Sequence, residues 1–196
     1  YERQIRQCLE RHGKSEEMWG FLMESLSNEF EKYDKQQEKI KLNIPGCKNL
    51  AELQGTSRKE RDAIQSFEEK VNEICDKLYD IAVSQSDTLI KLNNEMLKSC
   101  QLFDHGGNYS ELEIEWYKNQ MDSINEMLMN FRKDKEKEIE DINSKLKVSL
   151  KEPYENFEGE YKSGMHNLIT KEGLGKKYGA PRRIIQERMR AEITKC

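Results

Sequence analysis

Apolar residues return every three or four positions along most of this chain. Between Ser57 and Phe103 no proline or glycine occurs, and Ile64, Phe67, Val71, Ile74, Leu78 and Ile81 alternate steps of three and four. That is the narrow seam of a coiled coil rather than the broad stripe of a globular helix. After Ile81 the step is four twice, through Gln85 to Leu89, and the seam resumes at Leu92, Met96 and Phe103. Such an insertion reads as a stutter, which locally unwinds a supercoil. A helix over 57–103 would be about 70 Å long and cannot cover its own stripe, so it requires partner helices.

The flanking segments supply them. Ile5, Cys8, His12, Trp19, Leu22, Leu26, Phe30, Tyr33, Gln37 and Ile40 predict a first long helix over residues 1–43. Asn43-Ile44-Pro45-Gly46 ends it, Pro45 lacking a donor and Gly46 offering the positive φ of a type II turn. Asn49 with Glu52 predicts a cap for a short turn that Gly55 closes, and Ser57 with Glu60 a capping box for the central helix. A second break falls at residues 104–109, after which Ser110 and Glu113 form a further capping box. The third helix, 110–169, carries Tyr117, Met121, Ile124, Leu128, Phe131, Ile139, Ile142, Leu146 and Leu150 on its stripe. A kink is expected near Pro153. Beyond it Tyr154, Phe157, Tyr161, Met165 and Leu168 keep helical spacing but are diluted by Gly159 and Gly164, which predicts a weaker segment projecting past the three-helix body. A loop over 171–180 leads to Pro181 at the start of a further helix, 181–196. Short connections between helices of similar length predict an all-α fold, an elongated antiparallel three-helix bundle with a short fourth helix.

Composition sharpens this in two respects. Charged residues make up 36% of the 196 and hydrophobic ones only 35%, too polar for a compact globule of this size but apt for thin bundles that bury a seam. The net charge of −4 comes from interleaved groups, so any electrostatic partner must be met locally. Cys8, Cys47, Cys75, Cys100 and Cys196 lack C-x-x-C spacing and are odd in number, which favours reduced thiols and a cytoplasmic setting. No signal peptide or apolar run long enough to span a membrane is present in the sequence. The chain starts at Tyr1 and ends within a helical pattern, as expected of a piece of a longer protein.

Candidate chemistry is sparse. Gly173, Gly175 and Lys176 fail the phosphate-loop pattern at its first glycine and at its hydroxyl residue. His12, His105 and His166 lie on separate segments without metal-ligand spacing, and no nucleophile has a base nearby in sequence. No catalysis, cofactor or metal is therefore expected. Asn108-Tyr109-Ser110 matches a glycosylation sequon but is equally explained as a turn and a helix cap. Trp19 and Trp116 read as core aromatics. The charged run from Arg132 to Asp141 reads as a solvated face with i,i+3 pairs such as Lys133 with Glu136 and Asp134 with Lys137. From Lys171 to Arg190, seven basic residues face two acidic ones. Lys176, Lys177, Tyr178, Arg182, Arg183, Arg188 and Arg190 are thus the partner-binding candidates, for an acidic protein surface such as a microtubule or for an anionic membrane. With Tyr178 the only interleaved aromatic, nucleic acid is not expected.

The run Lys171-Glu-Gly-Leu-Gly-Lys-Lys-Tyr-Gly-Ala-Pro-Arg-Arg-Ile-Ile-Gln-Glu-Arg-Met-Arg-Ala-Glu192 resembles the C-terminal, uncharacterised helical domain of the ciliary coiled-coil domain-containing protein family numbered one-eighty. The resemblance implies a non-enzymatic structural segment of a cilium or the cytoskeleton, a spacer and docking module with microtubule or axonemal partners. It supplies no catalytic residues and makes the basic Gly-Leu-Gly and Tyr-Gly-Ala-Pro-Arg-Arg stretch a contact surface. Self-association through the helices is a further expectation. The alternative is a membrane-curvature module, a crescent dimer of three-helix chains binding anionic lipid; it would need basic residues along a concave face, whereas here they gather at one end of the chain.

Overall fold

The structure, a computed structural model, describes residues 2–103, 110–171 and 189–194. The fold is all-α, and no strand occurs among the described residues. Helix α1 spans Glu2–Asn43 and α2 Leu50–Tyr79; a π-helical turn, Asp80–Ser84, joins α2 directly to α3, Gln85–Phe103, and α4 spans Glu111–Lys171. Residues 189–194 are helical as well. The chain divides into two compact units, Tyr1–Leu26 with Asn72–Asn143 and Ser27–Val71 with Ser144–Cys196.

Three helices pack in the first unit. Cys8 meets Asn93 and Ser15 meets Gln85, so α1 and α3 are antiparallel; Asn93 meets Asn125 and Asp87 meets Arg132, so α3 and α4 are too. Cys8, Leu89, Cys100, Tyr117, Met121, Ile124 and Leu128 form its core. The second unit repeats the scheme. Glu29 pairs with Lys70 and Phe30 with Phe67 across antiparallel α1 and α2, while Lys145 of α4 lies over the Phe30 ring at 4.4 Å. Ile40, Ile44, Leu53, Ala63, Phe157, Tyr161, Met165 and Leu168 make its core. Each large apolar side chain so buried contributes roughly 1.5–3 kcal/mol before entropy is counted.

The central helix begins at Leu50, not at Ser57. Asn49 Oδ1 accepts from the Glu52 backbone N–H at 2.9 Å, and a Glu52 carboxylate oxygen accepts from the Lys48 backbone N–H at 2.7 Å. Once that cap has nucleated the helix, passing through Gly55 costs only about 1 kcal/mol, less than stopping and starting again. The continuation buries Leu53, Thr56, Ser57 and Glu60, so Ser57 and Glu60 are inward-facing residues rather than a cap. At the preceding turn Gly46 does not adopt a positive φ. Its N–H bonds Asn43 C=O at 3.2 Å and the Cys47 N–H bonds Ile44 C=O at 3.2 Å, a tight run of i to i+3 bonds that does not need a type II turn.

Because α2 starts early, the end of α4 has something to pack on. It does not project: α4 runs through position 153 without a break, and Phe157, Tyr161, Met165 and Leu168 are buried. Gly164 is used for close approach, since a Cβ there would come within 3.2 Å of Ile44 Cγ2. The Ser110 and Glu113 capping box forms as its spacing predicts, the Glu113 N–H donating to Ser110 Oγ at 3.3 Å and the Ser110 N–H to the Glu113 carboxylate at 2.9 Å.

The break in the seam coincides with a single π-helical turn, Asp80–Ser84. The Gln85 N–H bonds the Asp80 C=O, and the widened turn buries three consecutive residues, Ile81, Ala82 and Val83. The extra residue shifts the inward face by one position. Ser86, Leu89, Asn93 and Cys100 are buried beyond it, whereas Gln85 is exposed and Leu92 is 40% exposed. Trp116 is another departure from the expected core, standing 48% exposed while Trp19 is buried.

Candidate functional site

Of the partner-binding candidates, Lys176, Lys177, Tyr178, Arg182, Arg183 and Arg188 lie outside the described residues, as do His105, Asn108 and the Gly173-Leu174-Gly175 stretch. Arg190 is described; it is helical and exposed, and its carbonyl accepts the Thr194 hydroxyl. His12 is a seam residue, buried edge-on against Phe131 with 4.9 Å between ring centroids and 3.6 Å from the Glu16 carboxylate. No group of three metal-ligating side chains occurs among the described residues, and no described helix is long and apolar enough to cross a membrane. Cys8, Cys47, Cys75 and Cys100 are free thiols.

The charged run of α4 is more than a solvated face. Arg132 pairs across to Asp87 of α3, and Lys135 lies over the Trp19 ring at 4.9 Å while pairing with Glu138 at 2.7 Å. Here the run joins neighbouring helices, a role that spacing along one helix does not reveal.

A concavity lies in the first unit, beside the π turn. It is an open groove of roughly 820 Å³. One wall is α1, through Arg11, Lys14, Ser15, Met18 and Leu22; the other runs from Asp76 and Lys77 of α2, through Asp80 and Ile81, to Gln85, Thr88 and Leu89 of α3. Because the inserted residue turns Gln85 outward, its side chain reaches the rim. There the Ser15 hydroxyl is 3.1 Å from Gln85 Oε1, and Gln85 Nε2 donates to Asp80 Oδ2 at 3.5 Å. Met18 is 53% exposed, and Phe21 and Tyr79, 66% and 50% exposed, stand on the same two helices. Only the irregular step after Ile81 hinted at this groove in the sequence.

A buried polar cluster occupies the α1 and α2 seam of the second unit. Glu60 is 2% exposed, and neither of its carboxylate oxygens, nor Gln37 Nε2, nor the Tyr33 hydroxyl has a hydrogen-bond partner among the described residues. Burial pushes the Glu60 carboxyl up to about 7, against the smaller opposing influence of the nearby Gln37 amide and the Lys41 charge. Burial and the Glu60 charge likewise push the Tyr33 phenol well up, so it stays neutral. A carboxyl tuned near neutrality is a feature of acid–base sites, but this one is enclosed in a helix seam beside the stacked rings of Tyr33 and Phe67. Its effect is on stability.

No family model matches the chain, and no curated protein matches it. Among solved structures, it is similar to a computationally designed three-helix bundle at 13% identity and a TM-score of 0.41, over 99% of this chain and 87% of that one.

Proposed function

We propose that this chain is a non-enzymatic structural segment, a helical scaffold that holds docking sites for other proteins in a cilium or the cytoskeleton. The observation that supports it is the use made of the long helices. Their apolar stripes are filled by one another, with Leu53, Val71, Leu78, Met121 and Leu128 almost wholly buried, and their exposed positions are mostly charged or polar. A chain of this kind works through what it displays. The basic stretch from Lys176 to Arg190 is the attachment point for an acidic protein surface, and the resemblance of that stretch to a ciliary family favours a microtubule-associated setting.

Reversing charge with Arg182→Glu and Arg183→Glu together is expected to weaken co-sedimentation with microtubules several-fold while far-UV circular dichroism is unchanged. Undiminished co-sedimentation would remove the basic stretch from the docking role. Binding of the unaltered chain to anionic vesicles but not to microtubules would support the membrane-curvature alternative instead.

A further inference from the structure

We propose that the groove beside the π turn is a self-docking surface, on which a second copy of this chain packs about a two-fold axis. This goes beyond the scaffold reading, which needs only the basic stretch.

The contacts Cys8 with Asn93 and Ser15 with Gln85 fix which residues of the two walls lie level. Counting along antiparallel helices from those levels, Met18 stands beside Ile81, and Leu22 beside the turn that holds Asp76 and Lys77. The groove is therefore polar at both ends, with opposite sign. Arg11 and Lys14 mark one end and Asp76 the other, where the Lys77 ammonium is engaged with Glu73 on its own helix at 2.7 Å, while Asp80 stands near the middle with its carboxylate accepting from Gln85 Nε2 at 3.5 Å. Between the ends the groove is apolar around Met18, which is 53% exposed, with Leu22, Leu89 and the buried Ile81 lining it.

A two-fold axis through the level of Met18 and Ile81 reverses the groove end for end. It lays the cationic end of one copy on the acidic end of the other and apolar centre on apolar centre. That self-complementarity is what an isologous interface requires, and it selects a second copy over a partner helix of uniform charge. From Arg11 to Leu22 the face runs about 17 Å along the helix, short for an interface, so the dimer is weak and forms with rising concentration.

Sedimentation equilibrium in the presence of a thiol reductant tests this, following the 23.2 kDa chain from roughly micromolar to millimolar concentration. The mass is expected to climb towards twice the monomer value, and Met18→Glu to abolish the climb. Lys14→Glu and Asp76→Lys, both on exposed side chains, should each raise the dissociation constant about tenfold, as loss of roughly 1.4 kcal/mol does. Combining the two should restore it to within a few-fold. A chain that stays monomeric at every concentration overturns the proposal. So does association indifferent to Met18→Glu, or a double variant no tighter than either single one.

Discussion

Replacing Phe67 with alanine is expected to lower the stability of the chain by about 3–5 kcal/mol. Phe67 is 4% exposed and packs against two other rings, stacked on Tyr33 with 3.9 Å between centroids and edge-on to Phe30 at 5.1 Å. Truncation removes the transfer free energy of the ring and leaves a cavity between α1 and α2. It also removes two aromatic pairs, each worth about 0.5–1.5 kcal/mol beyond area. Against a total stability of about 5–15 kcal/mol, the loss is large enough to read directly in urea, as a fall in midpoint with little change in slope. Phe21→Ala, on a 66% exposed ring, is the matched control and should stay within about 0.5 kcal/mol for the monomer. A Phe67→Ala loss under about 1 kcal/mol would mean the three rings do not meet.

Glu60→Gln should stabilise the protein at pH 8 and do little at pH 4. The carboxyl is raised by burial from 4.5 to about 7, so the folded chain binds more protons than the unfolded chain across that interval. Stability contributed by the protonated group is complete below about 4.5, falls as pH rises, and is gone above about 7. At roughly 1.4 kcal/mol per unit, the charged form costs the fold about 3 kcal/mol at most. The groups facing it set the size: Gln37 and Lys41 on α1 hold the carboxyl below where burial alone would place it, and neutral Tyr33 adds no charge. Urea midpoints at pH 5 and pH 8 should fall for the native sequence and stay level for Glu60→Gln. Equal slopes in the two proteins would contradict the account.

Much of the fold was legible because periodicity reports which face of a helix is buried. The stripe from Cys8 to Ile40 and the one from Tyr117 to Leu168 lie inward largely as spacing predicts, and the pairs Asn49 with Glu52 and Ser110 with Glu113 form their caps. What spacing cannot report is the partner. Gly55 looks like a helix end in isolation, yet the burial of Leu53 on Ile44, Gly164 and Met165 carries the helix through it. Ser86 and Asn93 are polar and so invisible to a hydrophobic stripe; Asn93 is nonetheless inward, donating to Asn125 Oδ1 at 2.9 Å. Trp116 follows a stripe by spacing and still faces solvent, because a wide aromatic ring at the start of α4 lies outside the Tyr117, Met121 and Ile124 line. The groove was legible only as a missed step in the heptad. Its charge polarity needed the antiparallel levels that only the structure supplies.

The π turn contributes Asp80 and Ile81 to the groove, and placing aspartate in turn at positions 85, 86, 92 and 93 tests that turn most directly. An uninterrupted heptad would bury Gln85 and Leu92; the π turn instead buries Ser86 and Asn93. Aspartate cannot reach solvent from a buried helix position as lysine can, so an inward site should lose about 2 kcal/mol or more and an outward one under about 1 kcal/mol. Urea unfolding is expected to show large losses for Ser86→Asp and Asn93→Asp and small ones for Gln85→Asp and Leu92→Asp. The reverse order would put Gln85 inside the bundle and leave the groove without its rim.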